Sequence, residues 1–304
     1  MAWQKTIRRA VSTSGVGIHR GEPCGLQLRP APPYTGVVFI RAGSGMEIPA
    51  RAENAHDLEM ATSLSRDGVQ AGTVEHLVAA LAGVGVTNAF VDLDGPEVPI
   101  LDGSALPFVE LIDRAGIEDQ GVSLAEIRLK RPIRAGDADR FIEMQPGRGL
   151  EVDYEIDFRS SAIGRQRFAG RLTARRFAAD VAPARTFGFV EEVESLRRRG
   201  LARGGTLENC VVVDGDRVVS GRLRFPDEFV RHKVLDLVGD LALLEYPLHA
   251  RIVARKAGHA LHVAAIQMLL ARPEAWELVE PERVAPFTVQ PLREEPESEA
   301  AFAG

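Results

Sequence analysis

The sequence predicts an α+β fold built in two halves, and three observations indicate this. Runs typical of β-strands, bounded by Gly and Pro, alternate with a small number of helical runs. A short polar connector at about 119–125 separates two segments that show the same succession of strands and helices. The chain has 304 residues, which suits two domains of ordinary size, although one large domain is also compatible with this length. Strands and helices within each half predict α+β layers in each.

In the first half, the clearest helix lies between Thr73 and Gly83. Thr73 is a plausible N-cap, and Gly83 is a plausible residue just beyond the C-terminus. The other predicted elements are, in chain order, strands at Gly25–Leu28, Gly36–Arg41 and Asn88–Leu93 and a helix at Pro107–Ala115.

In the second half, the longest helical signal is Phe229–Leu244, and a charged amphipathic helix covers Phe189–Arg199. The predicted strands are Glu126–Leu129, Arg140–Met144, Leu150–Phe158, a hairpin of Val211–Val213 with Val218–Val219, and a final strand at Ala250–Arg255. The tail after about Pro286 is rich in Glu, Pro and Ala, so we expect a loose extension there.

Composition narrows the class of protein. The chain is 45% hydrophobic and 26% charged, which is ordinary for a soluble protein with a core. Its formal net charge of -6 argues against a general nucleic-acid binder. The two cysteines, Cys24 and Cys210, lack metal-type spacing, so neither a disulfide framework nor a cysteine zinc site is expected. The sequence shows no signal peptide and no transmembrane run, so we expect a cytoplasmic protein.

A candidate metal site lies in the longest predicted helix. His232, Asp236 and Asp240 are spaced at i, i+4 and i+8, so they share one helix face beside apolar residues. Burying such groups is costly unless they have partners, and imidazole with carboxylate is a ligand set that suits zinc. A solvent-facing polar stripe explains this segment equally well.

Glu75 and His76 are adjacent in the first turn of the predicted first-half helix. There His76 can bind a metal while Glu75 reaches water on that metal as a general base. Taken singly, Glu75 could simply interact with the helix N-terminus, and His76 could be a satisfied half-buried histidine.

His259 follows a strand and a glycine, at a predicted strand-to-helix turn. In that position it could protonate a leaving nitrogen or stabilise an oxyanion. An ordinary exposed loop histidine is the alternative.

Six strings occur in one order over residues 1 to about 275. They are Gly15-Val16-Gly17-Ile18-His19, Thr73-Val74-Glu75-His76-Leu77, Pro99-Ile100-Leu101-Asp102-Gly103-Ser104, Ala184-Arg185-Thr186-Phe187-Gly188-Phe189, Asp227-Glu228-Phe229-Val230-Arg231-His232-Lys233 and Lys256-Ala257-Gly258-His259-Ala260-Leu261. Together they resemble the UDP-3-O-acyl-N-acetylglucosamine deacetylase family, the zinc enzymes of the committed step of lipid A biosynthesis.

The resemblance implies two similar domains, each a β-sheet layered with two helices, with the helices of the two domains packed together in the middle. The expected boundaries are 1–122 and 126–275, followed by a C-terminal extension at 276–304. The active site would lie between the domains.

The resemblance also assigns roles to site residues. It implies that His76, His232 and Asp236 bind zinc and that Glu75 is the general base. His259 would be the general acid, oriented by Asp240. Thr186 would help polarise the attacked carbonyl, and Lys233 would bind sugar hydroxyl or phosphate oxygens. These two residues are the remaining members of the implied catalytic set.

Substrate contacts follow from the same resemblance. The residues implied for an apolar acyl passage are Phe187, Gly188, Val190, Val193, Leu201, Ala202 and Cys210, although several could simply form the core face of a helix. His19 and Lys256 are implied as diphosphate contacts. The chain departs from the family at His262, where relatives often have Asn, and at Arg203, where some have an apolar residue.

The implied reaction is hydrolysis of the N-acetyl amide of UDP-3-O-acyl-N-acetylglucosamine, giving UDP-3-O-acyl-glucosamine and acetate. One zinc ion per monomeric chain is expected, with iron as an alternative in vivo. Two other hypotheses stay open: a metal hydrolase for another amide, and a lipid- or nucleotide-binding module with a structural metal.

Overall fold

The computed structural model describes residues 2–280, and its first half is built on a five-stranded mixed sheet. The order is β2-β3-β9-β4-β5, in which β4 and β9 are parallel and the other pairs are antiparallel. A three-stranded sheet (β6-β7-β8) and a ribbon of β1 with β10 complete this half. The bounds are β1 Trp3–Ile7, β2 Val11–Val16, β3 Pro23–Pro30, β4 Val37–Arg41, β5 Glu47–Pro49, β6 Ala55–His56, β7 Ser63–Arg66, β8 Val69–Ala71, α1 Glu75–Val84, β9 Ala89–Leu93, α2 Leu106–Ala115 and β10 Ile117–Ser123.

The second half is built around a seven-stranded sheet in which β19 is central. One side of β19 pairs antiparallel with β13, and the other pairs parallel with β14. The bounds are β11 Glu126–Leu129, β12 Ile133–Gly136, β13 Phe141–Pro146, β14 Leu150–Asp157, β15 Arg165–Arg171, α3 Ala174–Arg176, β16 Phe187–Phe189, α4 Val190–Arg198, β17 Val211–Asp214, β18 Arg217–Val218, α5 Glu228–Leu241, β19 Leu248–Arg255, α6 His259–Leu270 and β20 Trp276–Val279. These elements confirm the predicted α+β class.

Helices α1 and α5 pack directly against each other, and glycine allows their closest approach. A Cβ added at Gly239 of α5 would lie 2.3 Å from the backbone oxygen of Glu75 at the start of α1. Gly83 plays a similar part, because a Cβ there would lie 2.2 Å from the Phe177 ring. The two halves therefore meet along these helices, and both helices carry predicted site residues.

Replacing Gly239 with Ala should push α1 away from α5 and displace Glu75. Overpacking of this kind costs about 1–3 kcal/mol in the free energy of unfolding. We expect a lower midpoint in urea denaturation together with reduced turnover. Ala79→Gly, a change of the same size at a buried α1 position, controls for a general loss of helix stability. Unchanged stability and turnover in Gly239→Ala would contradict this account of the helix contact.

Several predicted boundaries are wrong. Thr73 is not an N-cap: its φ is +52°, and its hydroxyl donates to Glu97 Oε1 at 2.6 Å. Gly83 lies inside α1, and the left-handed residue that follows the helix is Gly85, with φ +86°. The expected connector at 119–125 is mostly strand β10, which pairs with β1.

The strand at Leu248–Arg255 is not the final one. Trp276–Val279 forms β20 and pairs antiparallel with β11, so the expected C-terminal extension begins as part of the second sheet. The predicted loose tail after Pro286 lies outside the described residues. Within residues 2–280, none of the helices is long and apolar enough to cross a membrane.

Candidate active site

A cavity of about 1190 Å³ lies where the two halves meet. Helix α1 contributes Glu75 and His76 to its wall, and helix α5 contributes His232, Lys233 and Asp236. The close packing of these helices therefore brings together residues that are about 150 positions apart in the sequence.

His76, His232 and Asp236 form one buried cluster whose candidate ligand atoms all lie within 4.8 Å of one another. Asp236 Oδ1 lies 3.3 Å from His232 Nε2 and 3.9 Å from His76 Nε2. Ligand atoms around a four-coordinate zinc are separated by roughly 3.4 Å, given bonds of about 2.1 Å. The spacing of this cluster is suited to a shared cation.

The protonation of the cluster also suits a metal. Asp236 Oδ1 is buried and lacks a hydrogen-bond partner among the described residues. Burial lowers the pKa of His76 to about 3 and also lowers that of His232. His232 Nδ1 donates to the Ala184 carbonyl at 3.0 Å, which leaves Nε2 free to bind. Two neutral imidazoles facing an unpaired carboxylate oxygen are what a divalent cation requires.

Glu75 lies beside this cluster and is buried. Its Oε2 accepts a hydrogen bond from the Thr62 backbone N–H at 3.1 Å, and its Oε1 lies 3.9 Å from His259 Nε2. Burial raises the pKa of Glu75 to about 8. A carboxyl with a raised pKa beside a candidate metal site is suited to exchanging protons.

His259 is the first residue of α6 and is held by Asp240 of α5. Its Nδ1 donates to Asp240 Oδ2 at 2.8 Å, while Thr62 Oγ1 donates to Asp240 Oδ1 at 2.5 Å. Burial opposes the charged imidazole, but the Asp240 carboxylate outweighs it and raises the pKa of His259 to about 9. The structure thus pairs a candidate acid with the candidate base Glu75.

Lys233 and Thr186 also line the cavity. Lys233 Nζ donates to Asp236 Oδ2 at 2.7 Å; burial lowers the lysine pKa, but Asp236 raises it overall. The Thr186 backbone N–H donates to the Gly103 carbonyl at 2.8 Å. Gly103 has φ +85°, and a Cβ there would lie 2.0 Å from the Asn209 carbonyl oxygen, so only glycine fits beside this strand.

The expected acyl-passage residues divide into two groups. Five line the cavity, namely Phe187, Gly188, Val193, Ala202 and Cys210. The structure does not place Val190 or Leu201 on the cavity wall. Val190 is 43% exposed, and Leu201 lines a neighbouring groove. Phe158 and Phe189, to which the sequence assigned no role, pack edge to face against Phe187 and widen the apolar surface.

The two expected diphosphate contacts, His19 and Lys256, both line the cavity. The ammonium group of Lys256 lies 3.1 Å from Asp139 Oδ1 and 3.5 Å from Asp157 Oδ2. A phosphate would therefore compete with these carboxylates for the Lys256 ammonium. The His19 backbone N–H donates to Glu97, which fixes the loop that carries it.

Comparison with known proteins decides the family. The model of the UDP-3-O-acyl N-acetylglycosamine deacetylase family matches residues 4–271. A UDP-3-O-acyl-N-acetylglucosamine deacetylase of Acidithiobacillus ferrooxidans is 46% identical over 294 residues, which cover 95% of this chain and 97% of the relative. The chain belongs to this deacetylase family. A similarly named enzyme of Myxococcus xanthus is 45% identical, over 91% of this chain and 89% of the relative.

Because it belongs to this family, the chain is a deacetylase. Its site also contains two residues that the sequence did not indicate. Thr62 was missed, although its backbone contacts Glu75 and its hydroxyl contacts Asp240. Tyr154 was also missed; it lies on β14 and contacts His262. Neither residue lies in a motif, and only the folded chain brings them to the site.

The two departures from the family pattern have different settings in this deacetylase. His262 is fully buried behind Asp240. Arg203 is exposed, and its backbone N–H donates to the His19 carbonyl at 3.0 Å. The Arg203 contact ties the loop after α4 to the first half of the chain.

Proposed function

We propose that this deacetylase hydrolyses the N-acetyl amide of UDP-3-O-acyl-N-acetylglucosamine, giving UDP-3-O-acyl-glucosamine and acetate, the committed step of lipid A biosynthesis. One observation carries the proposal. Three buried ligand side chains from α1 and α5 share a cavity with a carboxylate, Glu75, and an imidazole, His259. The relatives bear the name of this substrate.

We propose that His76, His232 and Asp236 hold one zinc ion per chain, with iron as an alternative in vivo. Three protein ligands leave a coordination position available for chemistry, whereas structural zinc sites usually have four. When bound, the ion supplies Lewis acidity that polarises a carbonyl and lowers the pKa of water.

Proton transfer falls to two side chains of this chain. Glu75 accepts a proton from the water that attacks the acetamide carbon. His259 donates a proton from Nε2 to the departing nitrogen, so that the C–N bond breaks to give the amine and acetate. A pKa of about 9 keeps His259 protonated at neutral pH, as the donor role requires. Glu75 would be ionised beside a bound divalent cation, as the acceptor role requires.

Thr186 and Lys233 contribute polar atoms on the wall where the acetamide carbonyl would lie. The Thr186 hydroxyl is suited to donating to the developing oxyanion. Lys233 neutralises the charge of Asp236 through the 2.7 Å contact and presents an ammonium group to sugar or phosphate oxygens.

The rest of the cavity suits an amphipathic substrate. The Phe158, Phe187 and Phe189 rings form an apolar wall suited to the acyl chain. His19 and Lys256 contribute nitrogen atoms to the cavity lining, where a diphosphate would find hydrogen-bond donors and a cation. Because the substrate is a nucleotide sugar, we further propose that the enzyme acts in the cytoplasm, as a monomer.

Acetate release tests this function directly. With zinc-loaded enzyme, acetate should form from the UDP-linked 3-O-acyl substrate, and kcat/KM should fall at least about 100-fold when the nucleotide is removed, because the phosphate contacts are lost. Equal rates on both compounds would indicate a hydrolase for another amide. Stoichiometric metal without any acetate release would indicate a binding module.

Removing the metal should abolish turnover reversibly. We expect a strong chelator to reduce acetate release to background, because the proposed reaction needs Lewis acidity that the side chains do not supply. Addition of about one equivalent of zinc should restore the rate. Magnesium at the same concentration is the control, since it prefers oxygen ligands to imidazole. Full activity at zero metal content would contradict the proposal.

A further inference from the structure

A buried chain of hydrogen bonds continues behind Asp240, on the side away from the cavity. His262 Nδ1 lies 2.7 Å from Asp240 Oδ2, and His262 Nε2 lies 3.0 Å from the Tyr154 hydroxyl. The side chains of Asp240, His262 and Tyr154 are all 0% exposed. Neither Tyr154 nor His262 lines the cavity, so neither touches substrate.

The partners fix the direction of each hydrogen bond. Burial raises the pKa of Asp240, but the interactions with His259 and His262 outweigh burial and lower this pKa to about 2. An ionised carboxylate only accepts, so His262 must donate from Nδ1. Burial lowers the pKa of His262, so the ring is neutral and its Nε2 accepts from the Tyr154 hydroxyl.

A second metal site is the other explanation for these residues, because ligand atoms of Asp240, His259 and His262 also lie within 4.8 Å of one another. Their distances favour hydrogen bonds. Both histidines place Nδ1 at 2.7–2.8 Å from the same oxygen, Asp240 Oδ2, and Thr62 donates to Oδ1. A cation would have to displace both imidazole protons from a carboxylate that is already fully partnered.

We propose that Tyr154 and His262 are positioning residues for His259 and act on it through Asp240. The inference rests on the proposed function, in which His259 donates the proton to the leaving nitrogen. Asp240 accepts a hydrogen bond from Thr62 at Oδ1 and one from His262 at Oδ2, and together these fix the orientation of its carboxylate. The fixed carboxylate holds the His259 ring with Nε2 directed towards Glu75, at 3.9 Å from Oε1.

The position of each residue in the fold supports this coupling. His259 and His262 are three residues apart on α6, so both side chains reach the same carboxylate on α5. Tyr154 comes from the middle of β14, in the central part of the second sheet. The sheet therefore provides a rigid support for a hydrogen-bond chain that ends at the active site.

Steady-state kinetics on the zinc-loaded enzyme should separate positioning from substrate binding. Tyr154→Phe removes one hydroxyl and should lower kcat by about 3–10-fold. His262→Leu removes the donor to Asp240 and should lower kcat by about 10–100-fold, as outer-shell partners commonly do. KM should stay within about 2-fold. His262→Asn retains an N–H donor and should recover much of the lost kcat.

A double-mutant cycle tests whether the effect passes through His259. In a His259→Ala background, His262→Leu should cause little further loss of kcat, since the ring being positioned is absent. Ile266→Ala, at a buried apolar position on the same helix, controls for general damage to α6 and should have equal effects in both backgrounds. Fully additive losses for His262→Leu and His259→Ala would overturn the proposal.

A readout independent of turnover is the tautomer of His262 in metal-free protein. Labelling of histidine with ¹⁵N should show a neutral ring protonated at Nδ1, assigned by its loss in His262→Asn, and Tyr154→Phe should shift its Nε2 resonance. An Nε2-protonated ring would overturn the proposal. If the wild type releases no acetate, the proposed function fails, and the spectrum still tests the hydrogen-bond chain. The positioning role alone fails if the wild type and His259→Ala behave as proposed but Tyr154→Phe, His262→Leu and His262→Asn all keep the wild-type kcat.

Discussion

Glu75→Gln should lower kcat by about 10²–10⁴-fold while the metal content stays near that of the wild type. The amide has the size of the carboxylate and keeps an oxygen to accept from the Thr62 backbone N–H, so the local structure should persist. It cannot accept the proton of the attacking water, and that is the function we assign to Glu75. Acetate release gives kcat, and atomic emission gives the metal content.

Glu110→Gln is the matched control, because Glu110 is an exposed residue of α2 in the same half of the chain. Its kcat should equal that of the wild type. If Glu75→Gln keeps more than about a tenth of the wild-type kcat, the general base is another group. If it loses the metal instead, Glu75 belongs among the ligands.

The sequence alone indicates one part of the metal cluster, the pair His232 and Asp236, but it does not indicate that His76 joins them. The i, i+4 spacing of His232 and Asp236 indicates a shared helix face without any further knowledge. No spacing shows that His76 joins them, since it lies about 150 residues earlier. That contact depends on the packing of α1 against α5, which the resemblance implied and the close approach at Gly239 now explains.

The wrong boundaries have local causes. Thr73 has the residue type of an N-cap, but its hydroxyl is taken by Glu97, a partner 24 residues away. Residues 117–123 lack the apolar alternation of a buried strand, yet they pair with β1 in a two-stranded ribbon. Backbone pairing at an edge depends on the neighbouring strand more than on the local side-chain pattern, so the residues themselves indicate a connector.

The hydrogen-bond chain behind His259 could not be predicted from the sequence, because it too depends on contacts between distant segments. Thr62, Tyr154 and His262 come from three separate segments, and each has an ordinary structural explanation alone. His262 drew attention only as a departure from relatives that often have Asn. The structure shows that Asp240 is hydrogen-bonded to both His259 and His262, and this contact indicates a role for His262.

Asp236→Asn should abolish high-affinity metal binding and reduce turnover by at least about 10³-fold. Asp236 supplies the only carboxylate of the proposed ligand set, and its Oδ1 faces both imidazoles. The neutral amide is a poorer ligand for a divalent cation, and it leaves the half-buried Lys233 ammonium without its anionic partner. Metal analysis after dialysis and titration of zinc against acetate release both measure the loss.

Thermal unfolding provides a test that does not depend on catalysis. A ligand that binds only the folded state raises its stability by RT ln(1 + [L]/Kd), so zinc should raise the Tm of the metal-free wild type. Asp236→Asn should show little or no zinc-dependent rise. Asp227→Asn, at the partly buried residue just before the same helix, should retain the full rise, since its carboxylate pairs with Arg231 and not with the cluster. An equal rise in Asp236→Asn would mean that zinc binds elsewhere, and the proposed ligand set would then be wrong.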